Sequence, residues 1–457
     1  MIRLFNVYFP TRSLVRLLCE ALLIGGTLLV AIACLLGPDA YIGLVYQNGL
    51  LKVIVITTFT LLLSYYFDLY APRLIQERWE TYFRLLLVLS TLSFILAGLL
   101  FLFPDIQIGR NVLAGGVFSV SIVLLIWRRV DEWLVGLPIF RERVYVLGCG
   151  SRARTVVEIL RNRRDAGFEV AGWTGEGGTT DFSESSIADL RALCGPKPRV
   201  DRVIVAMEDR RGSMPVSDLL NLRLAGVLIE DASDIMERLT GTLPLQGLSP
   251  SILIFSQGFK VRTSHQILRR LLSILAATLG LLICLPFIPF IALAVRLSSP
   301  GPVLFRQTRV GWRGRLFTAL KFRTMRQDAE ASGAVWASKN DTRITPVGRF
   351  MRTTRLDEIP QLWNVLRGDM AFVGPRPERP EFVQWLSKEI PYYDLRHMIR
   401  PGITGWAQVR YQYGATLEET KRKLEYDLYY LKHLSLGLDL LIMFETIKTI
   451  LLRRGAQ

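Results

Sequence analysis

Histidine and cysteine are scarce, with 3 and 5 copies in 457 residues. Cys19, Cys34, Cys149, Cys194 and Cys284 are scattered and form no Cys-x-x-Cys pair, which excludes a zinc site or a disulfide framework as the organising device. Acidic charge is also short, with 40 Asp+Glu against 56 Lys+Arg and a formal net charge of +16. Between Ser298 and His433 there are 23 basic and 14 acidic residues, so one segment holds nine of the sixteen excess charges. A surplus concentrated in this way fits phosphorylated substrates or anionic lipid, and in part a basic face set by membrane topology. Charge alone would also suggest nucleic acid, but long apolar runs and the lack of a recognition-helix signature exclude it.

Half of the residues are hydrophobic, and they fall in blocks. Four apolar runs, near residues 15–36, 50–68, 83–103 and 112–127, approach the ~17–25 residues that a membrane-spanning helix needs. None resembles a cleaved signal peptide. Arg3, Arg12 and Arg16 precede the first run, Arg73 and Arg78 lie between the second and third, and Arg128 and Arg129 follow the fourth. The two remaining loops carry only Lys52 and Arg110, so the positive-inside rule puts the N-terminus and everything after Arg128 in the cytoplasm.

From Arg143 to about Lys260 short β-branched runs alternate with polar helical stretches, which predicts a parallel α/β sheet. The first strand runs into Gly148-Cys149-Gly150-Ser151-Arg152-Ala153, a GxGxxA pattern able to hold a pyrophosphate at a helix N-terminus. The second strand, FEVAGW, ends without an acidic residue for a ribose hydroxyl, and Glu176 comes late. Dinucleotide binding and a degenerate Rossmann-like fold used for packing or regulation both remain open. A further apolar stretch, Leu271–Leu297, is interrupted by Pro286 and Pro289. Arg269 and Arg270 on one side and Arg296, Arg306 and Arg309 on the other draw both ends to the cytoplasm, which predicts a re-entrant helix-break-helix rather than a crossing.

Beyond Ser298 the chain reads KFRTM, then DTRITPVGRFMRTTRLDEIPQLWNVLRGDMAFVGPRPE, then RPGITG and KLEYDLYY. Pro360 fits only a helix's first turn, so a helix over QLWNVLR should begin just before it and stop at Gly368, which places Asp357 and Glu358 at a helix N-terminus. There the pair is either a cap or, among Arg352, Arg355, Arg367 and Arg376, a site for chemistry on phosphate. The final stretch, LSLGLDLLIMFETIKTILLRR, has an apolar face broken by Asp439, Glu445 and Lys448, and suits a helix at the interface or against the core.

Over about residues 265–455 these blocks resemble, in order, the bacterial sugar transferase family of monotopic polyprenyl-phosphate phosphoglycosyl transferases. The whole layout is similar to the large members that start exopolysaccharide or O-antigen repeat units. The resemblance implies four transmembrane helices over 1–130, an α/β Rossmann-like domain over 140–260, and a mostly α catalytic domain with its re-entrant helix over 264–457. It further implies a bacterial inner-membrane enzyme, with catalysis on the cytoplasmic side, that moves a sugar-1-phosphate from a UDP-sugar to polyprenyl (undecaprenyl) phosphate. Asp357 would be the nucleophile, forming an acyl phosphosugar, and Glu358 a general base or an orienting group. Mg²⁺ would bridge Asp357 and the diphosphate. Lys321, Arg323, Arg352, Arg376 and Arg400 would hold anions, and Asp427 would serve substrate or metal unless it is a structural ion pair. Leu285 departs from the smaller members, which often have serine before the helix-breaking proline. The sugar is not legible, and a homodimer is compatible with the layout. Two other readings stand beside this one. The first, a membrane-anchored NAD-dependent nucleotide-sugar dehydratase or epimerase, calls for a Tyr-x-x-x-Lys pair, which the middle segment lacks. The second, a non-catalytic scaffold of polysaccharide assembly, would not need the intact Asp-Glu pair.

Overall fold

The computed structural model describes all residues except 1, 5, 71–77, 103–109, 138–140, 164–165, 175–199, 209–213, 247, 249, 257, 261, 327–340, 412–415 and 453–457. Arg73, Glu176 and Cys194 lie outside the described residues. The chain divides into two compact units, residues 1–2 and 8–235 in one and 3–7 and 236–457 in the other.

The first unit opens with four helices, α1 Thr11–Leu36, α2 Gly49–Tyr66, α3 Arg78–Leu102 and α4 Arg110–Gly136. They match the four apolar runs. Buried positions recur at helical spacing, as in Ile24, Leu28 and Ile32 of α1 and Leu85, Val88, Leu92 and Leu96 of α3, and these stripes form one core while leucines such as Leu22 and Leu86 face outward. Inside this apolar bundle Glu20 and Arg128 form an ion pair at 3.0 Å, both side chains 1% exposed. Tyr70 donates to Glu20 and Arg128 to the Leu69 carbonyl, so each member of the pair has a further partner, although Arg128 Nε has none among the described residues.

A four-stranded sheet follows in the same unit, built from β1 Glu142–Leu147, β2 Phe168–Trp173, β3 Arg202–Val205 and β4 Leu228–Asp231 in the order β2-β1-β3-β4, all parallel. Helix α5, Ser151–Asn162, leaves β1 through the glycine loop, and α6 is Val216–Leu224. Val144, Val146 and Leu147 are fully buried, as parallel strands covered on both faces require. Gly148 and Gly150 adopt φ of 152° and 118°, and a Cβ on Gly148 would stand 2.7 Å from the Ala206 carbonyl.

In the second unit α7, Thr263–Cys284, passes through a 3-10 turn at Leu285–Phe287 into α8, Ile288–Ser298. Pro286 opens the turn and Pro289 the first turn of α8, so the two prolines share the break. Among the described residues four stretches are long and apolar enough to cross a membrane: Thr11–Val45, Gly49–Tyr66, Trp79–Gly98 and Thr263–Ser298. Several other parts of the unit bear on the site. They are a hairpin, β5 Leu304–Val310 and β6 Leu316–Phe322; α9 Pro346–Thr354; α10 Gln361–Arg367; a parallel pair, β7 Ala371–Val373 and β8 Gly402–Thr404; α11 Leu417–Lys432; and α12 Leu436–Leu451. Ala277 of α7 and Val295 of α8 join one core with Met351, Ile359, Leu362 and Val365.

Helix α12 packs one face against the core of the unit, and that face is partly charged. Asp439, Glu445 and Lys448 are buried, while Leu440, Ile447 and Leu451 are exposed. Asp439 pairs with Arg269 of α7 at 2.6 Å and accepts from Tyr430. The polar residues thus share the buried face with Leu438 and Ile442, and Leu440, Ile447 and Leu451 face outward.

Candidate active site

Asp357 and Glu358 sit between two helices, in a 3-10 turn of their own over Leu356–Glu358. Arg355, in the left-handed region at φ 60°, ends α9, and the turn closes through Glu358 N–H to the Arg355 carbonyl at 3.2 Å and Ile359 N–H to that of Leu356 at 3.3 Å. Pro360 has no N–H to carry the ladder onward, so it becomes the N-cap of α10. This corrects the expectation that the carboxylates occupy the helix's own N-terminus. The other boundary is as read, with Gly368 at φ 101° capping α10.

Both carboxylates are buried at 6% exposure, in different environments. Glu358 Oε1 accepts from Lys321 Nζ at 2.9 Å and from Arg376 Nη2 at 2.8 Å, and Arg355 stands 3.8 Å from Oε2. Burial by itself would push the Glu358 carboxyl up, but Arg376, Lys321 and Arg355 together outweigh it and hold it well below the usual range. Asp357 Oδ1 is buried with no hydrogen-bond partner among the described residues. Burial pushes its carboxyl up and neighbouring Glu358 adds to the rise, against the pull of Lys321, Arg376 and Arg352. One carboxylate is therefore held in the ionised form by cations, and its neighbour keeps a buried oxygen with no hydrogen-bond partner among the described residues.

The surrounding fold sets this arrangement. Lys321 comes from the end of the hairpin, and buried Asn364 of α10 ties that strand down, accepting from Leu320 N–H at 3.0 Å and donating to the Thr318 carbonyl at 2.8 Å. Arg376 follows β7, and Gly374, the residue after that strand, packs so closely on β8 that a Cβ on Gly402 would fall 2.1 Å from Gly374 N. The Arg376 backbone carbonyl accepts from Arg396 Nη2 at 3.0 Å, and Arg396 pairs with Asp427 at 2.9 Å, both nearly fully buried. Burial raises the Asp427 carboxyl, opposed by Arg396. Asp427 is thus ion-paired with Arg396, which in turn donates to the Arg376 carbonyl.

Of the other predicted residues, Arg352 donates to Thr324 Oγ1 at 2.9 Å and contributes to the field at Asp357. Arg323 donates Nη2 to the Ser299 carbonyl at 2.6 Å, and its buried Nε and Nη1 have no hydrogen-bond partner among the described residues. Arg400 donates Nε to the Gly368 carbonyl at 3.2 Å, at the opposite end of α10 from the carboxylates, roughly 10 Å away along the axis. Lys321, Arg352 and Arg376 are therefore brought to the pair, while Arg400 is not. Asn364 and Arg396 went unread. An amide set between Trp363 and Val365 in QLWNVLR was the available signal for the first, and YYDLRHM offered none for the second.

Among the described residues no three His, Cys, Asp or Glu side chains converge on one point, so no all-protein metal cage exists there. The open Oδ1 of Asp357 does fit Mg²⁺, which takes one or two carboxylates and completes its shell with water and substrate phosphates. In the first unit the glycine loop has no such opening. Glu208 Oε1 accepts from Ser151 N–H at 3.2 Å and from Ser151 Oγ at 2.9 Å, so the start of α5 already faces a carboxylate of this chain.

Residues 264–453 match the family described as Bacterial sugar transferase. Over 382 residues the chain is 34% identical to UDP-glucose:undecaprenyl-phosphate glucose-1-phosphate transferase of Escherichia coli (strain K12), covering 81% of this chain and 82% of the relative. It is 42% identical over 239 residues to UDP-N-acetylgalactosamine-undecaprenyl-phosphate N-acetylgalactosaminephosphotransferase of Aeromonas hydrophila, covering 52% of this chain and 56% of the relative. Identity to undecaprenyl-phosphate glucose phosphotransferase of Komagataeibacter xylinus is 33% over 347 residues, covering 73% of this chain and 64% of the relative. The matches thus span less than two thirds of the length of the last two relatives.

Proposed function

The chain belongs to the bacterial sugar transferase family, and from that premise we propose that it transfers a sugar-1-phosphate from a UDP-sugar to polyprenyl (undecaprenyl) phosphate, yielding polyprenyl-diphosphate-sugar and UMP at the start of exopolysaccharide or O-antigen repeat-unit synthesis. The observation that carries this reading is the asymmetry of the carboxylates, with Glu358 saturated by cations and Asp357 Oδ1 open.

In this mechanism Asp357 attacks the phosphorus that bears the sugar. The bond to the bridging oxygen breaks, UMP leaves with the electron pair, and an acyl phosphosugar remains on Asp357. A polyprenyl-phosphate oxygen then attacks the same phosphorus and returns the carboxylate. One phosphoanhydride replaces another, so no ATP is needed. Glu358, held ionised, is a poor proton acceptor; its work is to fix Lys321 and Arg376, whose remaining N–H donors neutralise the diphosphate. Asp357 would hold Mg²⁺ through Oδ1, and the ion would supply charge neutralisation to the diphosphate.

Membrane placement is part of the proposal. Ala277 and Val295, one from each limb of the broken apolar helix, lie in the core that also holds Ile359 and Leu362, which supports a re-entrant hairpin carrying the site on one face of the membrane. With the arginine distribution, that face is the cytoplasmic side of the inner membrane. The parallel sheet between Glu142 and Asp231 is read as a Rossmann-like domain used for packing or regulation, and a homodimer is compatible with this arrangement.

The test is UMP release from UDP-glucose, UDP-galactose, UDP-N-acetylglucosamine and UDP-N-acetylgalactosamine by detergent-purified full chain, with undecaprenyl phosphate and Mg²⁺. Wild type is expected to turn over one of them, and Asp357→Asn to lose about 10³-fold or more. Undiminished release by the variant would remove Asp357 as nucleophile, and silence across the panel would overturn the donor class.

A further inference from the structure

Helix α7 carries a polar stripe on an apolar background. Gln266, Arg269, Arg270 and Ser273 recur at i, i+3, i+4 and i+7, one face of a helix, while Ile267, Leu268, Leu271 and Leu275 are exposed. The stripe lines a cavity of about 30 Å³ whose other walls include Trp312 and Arg400. Arg269 is paired with Asp439. Arg270 and Arg400 have no carboxylate partner among the described residues, only backbone carbonyls: Val365 and Leu366 for Arg270, Gly368 for Arg400.

Arg400 is also held in place from the side. Its guanidinium lies 4.7 Å over the Trp312 ring, and that ring is fixed by Nε1 donating to the Met398 carbonyl at 3.2 Å. A guanidinium has five N–H donors, and the one that Arg400 uses is on Nε, so among the described residues both of its terminal nitrogens lack an acceptor. Burial, with Arg270 and Arg269 beside it, weakens the hold of Arg400 on its proton, which is the cost of crowding like charges without an anion.

We propose that this cavity is a second anion site, separate from the carboxylate pair, that takes the phosphate of a membrane lipid headgroup between Arg400, Arg270 and the Trp312 ring. Admitting one water takes about 10–15 Å³ of such volume, so about 30 Å³ has room for two or three oxygens of one phosphate. Position selects the source, because the cavity opens beside a helix whose neighbouring leucines face outward, where a lipid's acyl chains would lie. The site anchors the catalytic unit at headgroup depth and does not depend on the transfer reaction.

The test is thermal unfolding of the detergent-solubilised full chain during titration with phosphatidylglycerol, with dioleoylglycerol as the lipid lacking phosphate and inorganic phosphate as the free anion. Phosphatidylglycerol is expected to raise the midpoint of wild type saturably, and dioleoylglycerol to leave it unchanged. Arg400→Gln is expected to need about tenfold more phosphatidylglycerol for the same shift. Gln266→Glu, which leaves the Val365, Leu366 and Gly368 carbonyl contacts in place, is expected to do the same by repelling the anion. Saturation by inorganic phosphate at equal concentration, lost in both variants, would keep the phosphate site and assign it to a soluble ligand. Equal titrations for wild type and both variants would overturn the proposal.

Discussion

The glycine loop after β1 and the turn at Leu356–Glu358 both bring a carboxylate to a place where phosphate chemistry was expected, and they use it in opposite ways. In the first, Glu208 fills the position in front of α5, so the donors that would meet an anion are already engaged. In the second, Lys321 and Arg376 converge on Glu358 and leave its neighbour's Oδ1 with no hydrogen-bond partner among the described residues. The lesson is that a phosphate-site pattern identifies where donors are, and only the partner ledger of each buried polar atom tells whether they are free. A motif can survive as architecture after its vacancy has been filled.

The largest expected effect tests what holds the open side in place. Asp427→Ala strands Arg396 as an unpaired buried charge, and loss of one partner of a buried pair costs about 3–5 kcal/mol, a drop that thermal unfolding of the detergent-solubilised chain will register. Asp427→Asn, which keeps the shape, should fold better yet lower kcat more than it raises KM, because Arg376 loses its backbone support. Unaltered kinetics in that variant would break the link from Asp427 to Arg376.

A smaller effect concerns the electrostatics of the pair. Asp357 must be ionised to attack, and its carboxyl is raised by burial and by Glu358, so UMP release should rise with pH through a limb above the usual carboxylate range. Glu358→Gln removes a negative neighbour and frees two cations, so the limb is expected to move to lower pH while kcat falls by about tenfold or more. Arg376→Gln should move the limb the other way. A pH profile unmoved by either substitution would show that Asp357 does not titrate in the rate.

The smallest expected effect lies at the closed loop. Glu208→Ala should cost only ~0.5–1 kcal/mol, a cap's worth, leave UMP release unchanged, and make the protein newly stabilised by sulfate. A large fall in UMP release would mean that the loop serves the reaction and that the contrast between the two places is wrong.

Much of this was readable one residue at a time. The four apolar runs became helices because length and composition suffice for that, and the break at Pro286 and Pro289 and the stop at Gly368 follow from what proline and glycine can do locally. The conserving of partners across distance was not readable. Glu208 reaches Ser151 from 57 residues away and Asp427 lies 31 residues beyond Arg396, separations at which no local rule applies. Arg400, assigned to the anion-binding group by its motif, went to the far end of α10 because its Nε serves the helix's last carbonyl. The carboxylates left the helix that was to hold them because Arg355 turned left-handed and Pro360 could not donate.

Helices α7 and α12 join through Arg269 and Asp439, with that charged pair buried and leucines such as Leu275 and Leu440 exposed. For such a pair a hydropathy profile charts part of the outer surface as well as the core. Replacing Leu440 or Leu275 with a charged residue, the usual route to a better-behaved sample, would therefore strip the boundary that a detergent micelle has to grip. Thr263–Ser298 is long and apolar enough to cross a membrane, so those side chains are the surface on which an amphiphile would act.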